Sequence, residues 1–315
     1  MKKQEKKVLI DNNITTKVIT NIVEESEDDD DEEIIINDSI KDTLLKYDNF
    51  NNLIINANIK VPLGNSFIPQ GITYYNDYLL IVGYFENGNR SKCYVLDLEG
   101  NIINEVTLDT NSHVGAISYD AVNELIWLPD NNGTLNAYNA IEFIHESEVN
   151  YLYQFNDVSD ELADYIYPNK KNIAFITIDD NYLYIGNFYK TKKCITKKYL
   201  INNDDGLKLE FVNKFYMPPK TQGISFFKLN GNKYLLTSNS FNRRTTSHLE
   251  LYLYDENITD YFDTYITRIE MPPMSEQIVV NGNSAYIIFE SGANKYYNSL
   301  DKVEFICILD LNKIN

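Results

Sequence analysis

The chain has 315 residues, 43% of them hydrophobic, with 25 tyrosines and a formal net charge of −18. That length suits one repeat domain or two ordinary ones, and abundant tyrosine favours half-buried pleated strands. The acidity, unbroken by any basic stripe, argues against nucleic acid or an anionic membrane surface as a partner.

The chain opens with MKKQEKKVLIDNNITTKVIT. This start is basic but lacks the apolar run and small-residue cleavage site of a secretory signal. No stretch approaches the roughly 20 apolar residues of a membrane span, so the default expectation is a cytoplasmic protein. Residues 24–33 read EESEDDDDEE, a run of like charge that repels itself and cannot bury a core. A disordered acidic tail is expected over residues 1–40, serving either to recruit a basic partner or as a solubilising spacer.

From Asn52 onward the composition changes and one plan recurs. The five segments are GITYYNDYLLIVGYF from Gly71, AISYDAVNELIWLPD from Ala116, AFITIDDNYLYIGNF from Ala174, GISFFKLNGNKYLLTSNSF from Gly223 and QIVVNGNSAYIIFESG from Gln277. Each is an apolar strand, an Asn- or Asp-rich turn able to adopt positive φ, and a second, more continuously apolar strand: a repeated hairpin. Third strands follow in KCYVLDL from Lys92, GTLNAYN from Gly133, LELYLYD from Leu249 and VEFICILDL from Val303. Their alternation has the period of a strand with two unlike faces. The stretch IEFIHESEVNYLYQFNDVSDELADYIYP from Ile141 fits the plan least, and a short helix is expected at 160–165.

A fourth strand closes each unit, and a proline-marked crossover leads to the next: VPLGNSFIPQGI from Val61, MPPKTQGI from Met217 and MPPMSEQI from Met271. Proline cannot donate to a ladder, so the strand ends there. Units spaced by roughly 45 to 60 residues are near the period of propeller blades. The last unit stops after VEFICILDL, one strand short, whereas IINANIKVPL from Ile54 precedes the first unit unassigned. Placing that early strand at the outer edge of the last blade staples a ring and protects its edge. The expectation is an all-β, five-bladed β-propeller over residues 41–315, with four antiparallel strands per blade and closure by the N-terminal strand.

In such a ring the innermost strands line a channel, and the loops leading into them form a rim where ligands bind. Gln70, His113, Gln222 and Glu276 stand at those positions, with Gly115 and Ala174 at or near the remaining ones. Glu276, the one carboxylate of this set, suits proton transfer or a cation; the alternative is that Gln70, Gln222 and Glu276 all bond the neighbouring blade's backbone. The second strands end in another polar series, Asp130, Asn187, Asn239 and Glu290. Oxygen ligands converging from several blades would suit Ca²⁺, an arrangement that resembles the metal site of lactonase-type propellers.

Cys93, Cys194 and Cys307 are far apart and odd in number, which reads as buried thiols rather than disulfides or a metal cluster. No nucleophile elbow, zinc-protease helix, P-loop or dinucleotide fingerprint is present in the sequence. Of the three histidines, only His113 stands where it could serve a site, and a structural role is equally open to it.

The first blade, PQGITYYNDYLLIVGYFENGNRSKCYVLDLEGNIINEVTL from Pro69, resembles the opening of glutaminyl cyclotransferases, through Gln70-Gly71, Gly88, Ser91 and Asp97-Leu98-Glu99-Gly100. The resemblance covers about one blade and implies a five-bladed propeller. In that family the second blade opens with a Gly-Glu-Gly-like element carrying the acid/base carboxylate; here the chain has His113-Val114-Gly115-Ala116. Cyclising an N-terminal glutamine needs a group that moves the amine proton, which leaves His113 or Glu276 as catalytic candidates. The composition and scaffold otherwise suggest a monomeric binding or scaffold propeller that takes a small molecule, peptide or protein at its rim.

Overall fold

In the computed structural model, residues 34–64, 66–130, 133–156 and 173–314 are described, together with the backbone at 7–8 and 18–19. The chain divides into two units, Met1–Glu33 and Ile34–Asn315. In the first, strands Lys7–Val8 and Val18–Ile19 pair antiparallel. The acidic run at 24–33 and the helix expected at 160–165 lie outside the described residues.

The second unit is a five-bladed propeller. Blade 1 comprises Phe67–Tyr75, Tyr78–Phe85, Lys92–Leu96 and Ile102–Thr107, and blade 2 Ser118–Asp120, Leu125–Pro129, Leu135–Asn139 and Tyr153–Phe155. Blade 3 comprises Phe175–Asp179, Tyr182–Gly186, Cys194–Asn202 and Lys208–Met217, and blade 4 Thr221–Leu229, Asn232–Asn239, Ser247–Leu253 and Thr267–Met271. Blade 5 joins Ser275–Asn281, Ser284–Phe289 and Cys307–Asp310 to the early strand Ile54–Ala57. The innermost strands touch in a closed cycle, the fifth against the first.

Turn chemistry explains the hairpins. Four of them have two-residue loops, closed by Tyr75↔Tyr78, Asp179↔Tyr182, Leu229↔Asn232 and Asn281↔Ser284. Asn76, Asp180, Asn230 and Gly282 supply the positive φ these turns require. The second strands are apolar on both faces because each lies between two neighbours. In blade 2, Ile126 and Leu128 pack towards blade 1, whereas Leu125 and Trp127 pack towards blade 3. Each of the five interfaces between blades has its own buried cluster. The three cysteines are free and buried, all on third strands.

Closure runs as the sequence suggested. Ile54–Ala57 pairs antiparallel with Cys307–Asp310, and the pairing extends through Lys60↔Phe305 and the bond from Val61 N–H to Glu304 C=O at 2.9 Å. Residues before 41 also pack on blade 5. Ile35–Ile36 adds a fifth, parallel strand to blade 5. Helix α1, Asp38–Leu44, begins where Asn37 accepts a bond from Ser39 N–H, and α2, Asp48–Asn51, follows. Ile40, Leu44 and Phe50 complete the cluster between blades 4 and 5, with Ile36 packed against it, whereas Ile34 and Ile35 are exposed. A third helix, α3 at Ala140–His145, fills the outside of blades 1 and 2 with Phe143 and Ile144.

The axis is held by Gln277. Its Oε1 accepts from Ile72 N–H (3.1 Å) and Ile117 N–H (3.0 Å), and its Nε2 donates to Ile117 C=O (2.8 Å) and Ile176 C=O (3.0 Å). One carboxamide thus joins blade 5 to blades 1, 2 and 3. Small residues stand at the matching positions of blades 1, 2 and 4, Gly71, Ala116 and Gly223, where blade 3 has Phe175. A Cβ at Gly71 would lie 2.8 Å from the Ala116 backbone, and one at Gly223 would lie 2.9 Å from Gln277 Cα. Replacing Gln277 by Leu keeps the volume but strands four buried backbone groups. We expect Gln277→Leu to destabilise the protein by about 3 kcal/mol or more, read as a lower urea midpoint; an unchanged midpoint would refute the pinning role.

Candidate functional site

Three blades place a polar residue at the mouth of the channel by the same device. The innermost strands carry a register shift between Pro69 and Gly71, between Thr221 and Gly223, and between Ser275 and Ile278. These are β-bulges, and a bulge re-aims the extra side chain out of the ladder. Gln70, Gln222 and Glu276 are those side chains. The M-P-P crossovers contribute a second device: Lys220 and Met274 have φ of 72° and 65°. Their carbonyls accept from Ser240 N–H (2.8 Å) and Glu290 N–H (3.0 Å), fixing the ends of the second strands beside the bulges.

The result is a cavity of about 610 Å³ lined by Gln70, His113, Asp130, Gln222, Glu276 and Glu290. Gln70 donates through Nε2 to Pro69 C=O (2.9 Å) and to Glu290 Oε2 (3.0 Å), and Gln222 Nε2 donates to Glu276 Oε1 at 3.3 Å. Gln70 and Glu276 are only 2% and 4% exposed, while Glu290 opens partly to the cavity. Burial, then the charge of Glu290, raises the Glu276 carboxyl well above the usual glutamate range. Burial also raises Glu290, against the opposing influence of Tyr296, Gln70 and Lys295. Both carboxyls are thus pushed above the ordinary glutamate range, Glu276 the more strongly.

His113 faces the cavity with its ring 4.7 Å from that of Tyr84. The protein packed around it, and the charge of Lys295, lower its pKa, so it is neutral at pH 7. Asp130 lines the wall and accepts from Thr110 Oγ1 at 2.7 Å. Asn187 and Asn239 stand apart from the cavity lining. Their oxygens serve the fold: Asn187 Oδ1 accepts from Ile195 N–H at 2.8 Å, and Asn239 Oδ1 from Thr221 Oγ1 at 2.8 Å. The oxygen series expected to hold Ca²⁺ is thus not gathered around one point. Among the described residues no group of three or more His, Cys, Asp or Glu could hold a metal.

Sequence reasoning missed part of the lining. Phe188 and Phe241 form an aromatic side with ring centroids 6.4 Å apart; each lies just beyond the second strand of its blade, one or two residues past the polar series. Arg243 and Tyr296 also line the cavity, and no repeat position announces them. Ser112 lines it too, with a buried hydroxyl that has no hydrogen-bond partner. No helix among the described residues is long and apolar enough to cross a membrane.

No family model matches the chain, and no curated protein matches it. Several solved structures resemble it at low identity. The Kuenenia stuttgartiensis hydrazine synthase aligns with TM-score 0.39 and 11% identity over 73% of this chain, which spans 56% of that chain's length. The β-propeller domain of Myceliophteria thermophila Cps50 (Swd1) aligns at 0.41 and 9% identity, covering 82% of this chain and 99% of that one. U3-55K aligns at 0.45 and 8% identity, covering 79% and 97%. At such values the propeller rests on this chain's own sheet order.

The buried carboxyl pair makes a signed pH prediction. A group whose folded-state pKa is raised binds more protons folded than unfolded between its two pKa values, so stability falls as pH rises through that window. For Glu276 the window opens near the ordinary value of 4.5 and extends upward. Glu276→Gln should remove this slope, so that the variant gains on the parent in melting temperature from pH 5 to pH 9. Parallel melting curves across that range would show that Glu276 carries no displaced proton.

Proposed function

We propose that the protein is a ligand-binding propeller whose site is the cavity at the channel mouth. The ligand presents an N–H-rich group, an ammonium or a primary amide, to Glu276, Glu290, Gln70 and Gln222. The observation that carries this reading is the juxtaposition of two carboxyls at a cavity of about 610 Å³. Buried carboxyls without a cation lower stability, and groups that cost stability in a cleft are where binding and catalysis concentrate. Gln70 spends its two N–H bonds on Pro69 and Glu290, which leaves its Oε1 as an acceptor. An ammonium entering there displaces the proton shared by the pair and takes up the acceptors left over.

Melting the protein with a panel of small primary amines and peptides bearing a free N-terminus tests this. A ligand at about one hundred times its Kd should add roughly 2.7 kcal/mol, whereas N-acetylated forms should add little. Glu276→Gln and Glu290→Gln should each abolish the shift. A panel without effect, or shifts that survive both substitutions, would overturn the assignment.

A second reading is supported by the same pair. One protonated and one ionised carboxyl can pass a proton between a leaving group and an incoming one. The carboxylate that glutaminyl cyclotransferase-like propellers carry in the second blade has no counterpart at His113-Val114-Gly115-Ala116, and blade 5 offers two instead. If the chain is an enzyme of this type, ammonia should be released from peptides with an N-terminal glutamine, and Glu276→Gln should abolish the release. Turnover unchanged by that substitution would remove Glu276 from any such mechanism.

A further inference from the structure

The rim of the cavity has the opposite character to its floor. Two loops build it, residues 240–246 of blade 4 and 290–306 of blade 5, each joining the second strand of its blade to the third. They are tied together: Leu300 N–H donates to Arg243 C=O at 2.9 Å, and Arg243 Nη1 donates to Asn298 Oδ1 at 2.6 Å. Arg243 lines the cavity and lies over the Tyr296 ring, 5.2 Å from its centroid. Lys295 lies 5.3 Å from the same centroid and donates to Tyr84 Oη at 2.9 Å. A third cation, Lys190, sits 4.5 Å over Phe241.

None of these three cations forms an ion pair among the described residues. In a chain of charge −18, carboxylates are in surplus, and Lys46, Lys198, Lys233 and Arg268 have each taken one. At the rim the cations rest on aromatic faces, and the charge of Lys295 also reaches the Glu290 carboxyl below it. Two like charges gathered around one tyrosine ring repel unless an anion lies between or before them.

We propose that Arg243 and Lys295 bind the carboxylate of a ligand whose N–H-rich group occupies the floor, so that the site takes a zwitterionic or amino-and-carboxylate molecule with an apolar body beside Phe188 and Phe241. The floor half of this assignment rests on the function proposed above. A carboxylate fits better than a phosphate because its single charge is repelled less by the acidic floor and by the chain's net charge, and because guanidinium matches its two oxygens.

Four aromatic probes separate the two halves: phenylalanine, phenylalaninamide, N-acetylphenylalanine and phenyl phosphate, each titrated calorimetrically into the parent, Arg243→Met, Lys295→Met and Asn298→Ala. Phenylalanine should bind the parent at least about tenfold tighter than phenylalaninamide, and Arg243→Met or Lys295→Met should erase that advantage. Phenylalaninamide should bind all four proteins equally. Asn298→Ala, which loosens the loop but keeps both charges, should retain most of the advantage and so excludes simple unfolding. Equal binding of phenylalanine and phenylalaninamide by the parent would overturn the rim assignment and leave the floor intact. Binding of N-acetylphenylalanine but not phenylalaninamide would sink the floor reading and leave the rim. Preference for phenyl phosphate would refute the carboxylate, and binding of none of the four would refute both halves.

Discussion

Five innermost strands meeting around an axis create a problem that no strand can solve. Each presents an inner edge whose N–H and C=O groups have no further strand to pair with, in a space too narrow for bulk water. A buried amide without a partner costs about 1–3 kcal/mol. Gln277 answers this with the one neutral side chain type that offers two donors and an acceptor with two lone pairs on one plane. It uses all four, on Ile72, Ile117 and Ile176. Gly71, Ala116 and Gly223 at the corresponding positions of blades 1, 2 and 4 keep the axis open for this side chain, so its role is a property of the ring rather than of one blade.

The same bulge that turns Gln277 onto the axis turns Glu276 away from it. Neighbouring residues in a strand point to opposite sides, and the extra residue at 275–278 lets both directions be used at the centre. The cavity floor is therefore fixed by the element that holds the ring together. A carboxyl seated on a backbone this constrained cannot relax outward into water, which is why its pKa rises instead. Blades 1 and 4 lend their bulged glutamines to the two glutamates by direct bonds, so the site is assembled from three blades that share one backbone distortion.

The hairpin repeat, the blade number and the closing strand could be read from the sequence because each is written locally. Asn76, Asp180 and Asn230 mark turns wherever they stand, and the strand missing after Cys307–Asp310 is a matter of counting. The shared position of Gln70, Gln222 and Glu276 was visible too, since they recur before the same apolar step, whereas the bonds of Gln70 to Glu290 and of Gln222 to Glu276 were not. What was hidden follows from geometry around the axis. Gln277 stands where blades 1, 2 and 4 have Gly or Ala, and nothing in a linear comparison says that the exception fills the space left by the rule. Asn187 and Asn239 looked like ligands because they end equivalent strands, yet an asparagine at a strand end can equally bond a neighbouring strand, as Asn187 does with Ile195 and Asn239 with Thr221. Arg243, Lys295 and Tyr296 lie in loops of unequal length, where position in the repeat has no meaning. Helix α1 was missed because the acidic run before it dominates the local composition, although Ile40 and Leu44 carry the spacing of one buried helical face.

The two ends of the cavity also differ in how far they act. The field of a chain with charge −18 reaches solution beyond any single residue and attracts cations while repelling anions. At physiological ionic strength it is screened over about 8 Å, comparable to the distances within the mouth itself. A ligand's cationic end is thus drawn in from outside, whereas an anionic end gains only when it reaches contact with Arg243 and Lys295. For a ligand of the proposed kind this difference in range would set the orientation, with the ammonium leading and the carboxylate arriving last. Raising the salt concentration would slow arrival through the first effect and weaken holding through the second far less, because the rim cations are partly desolvated against Tyr84 and Tyr296.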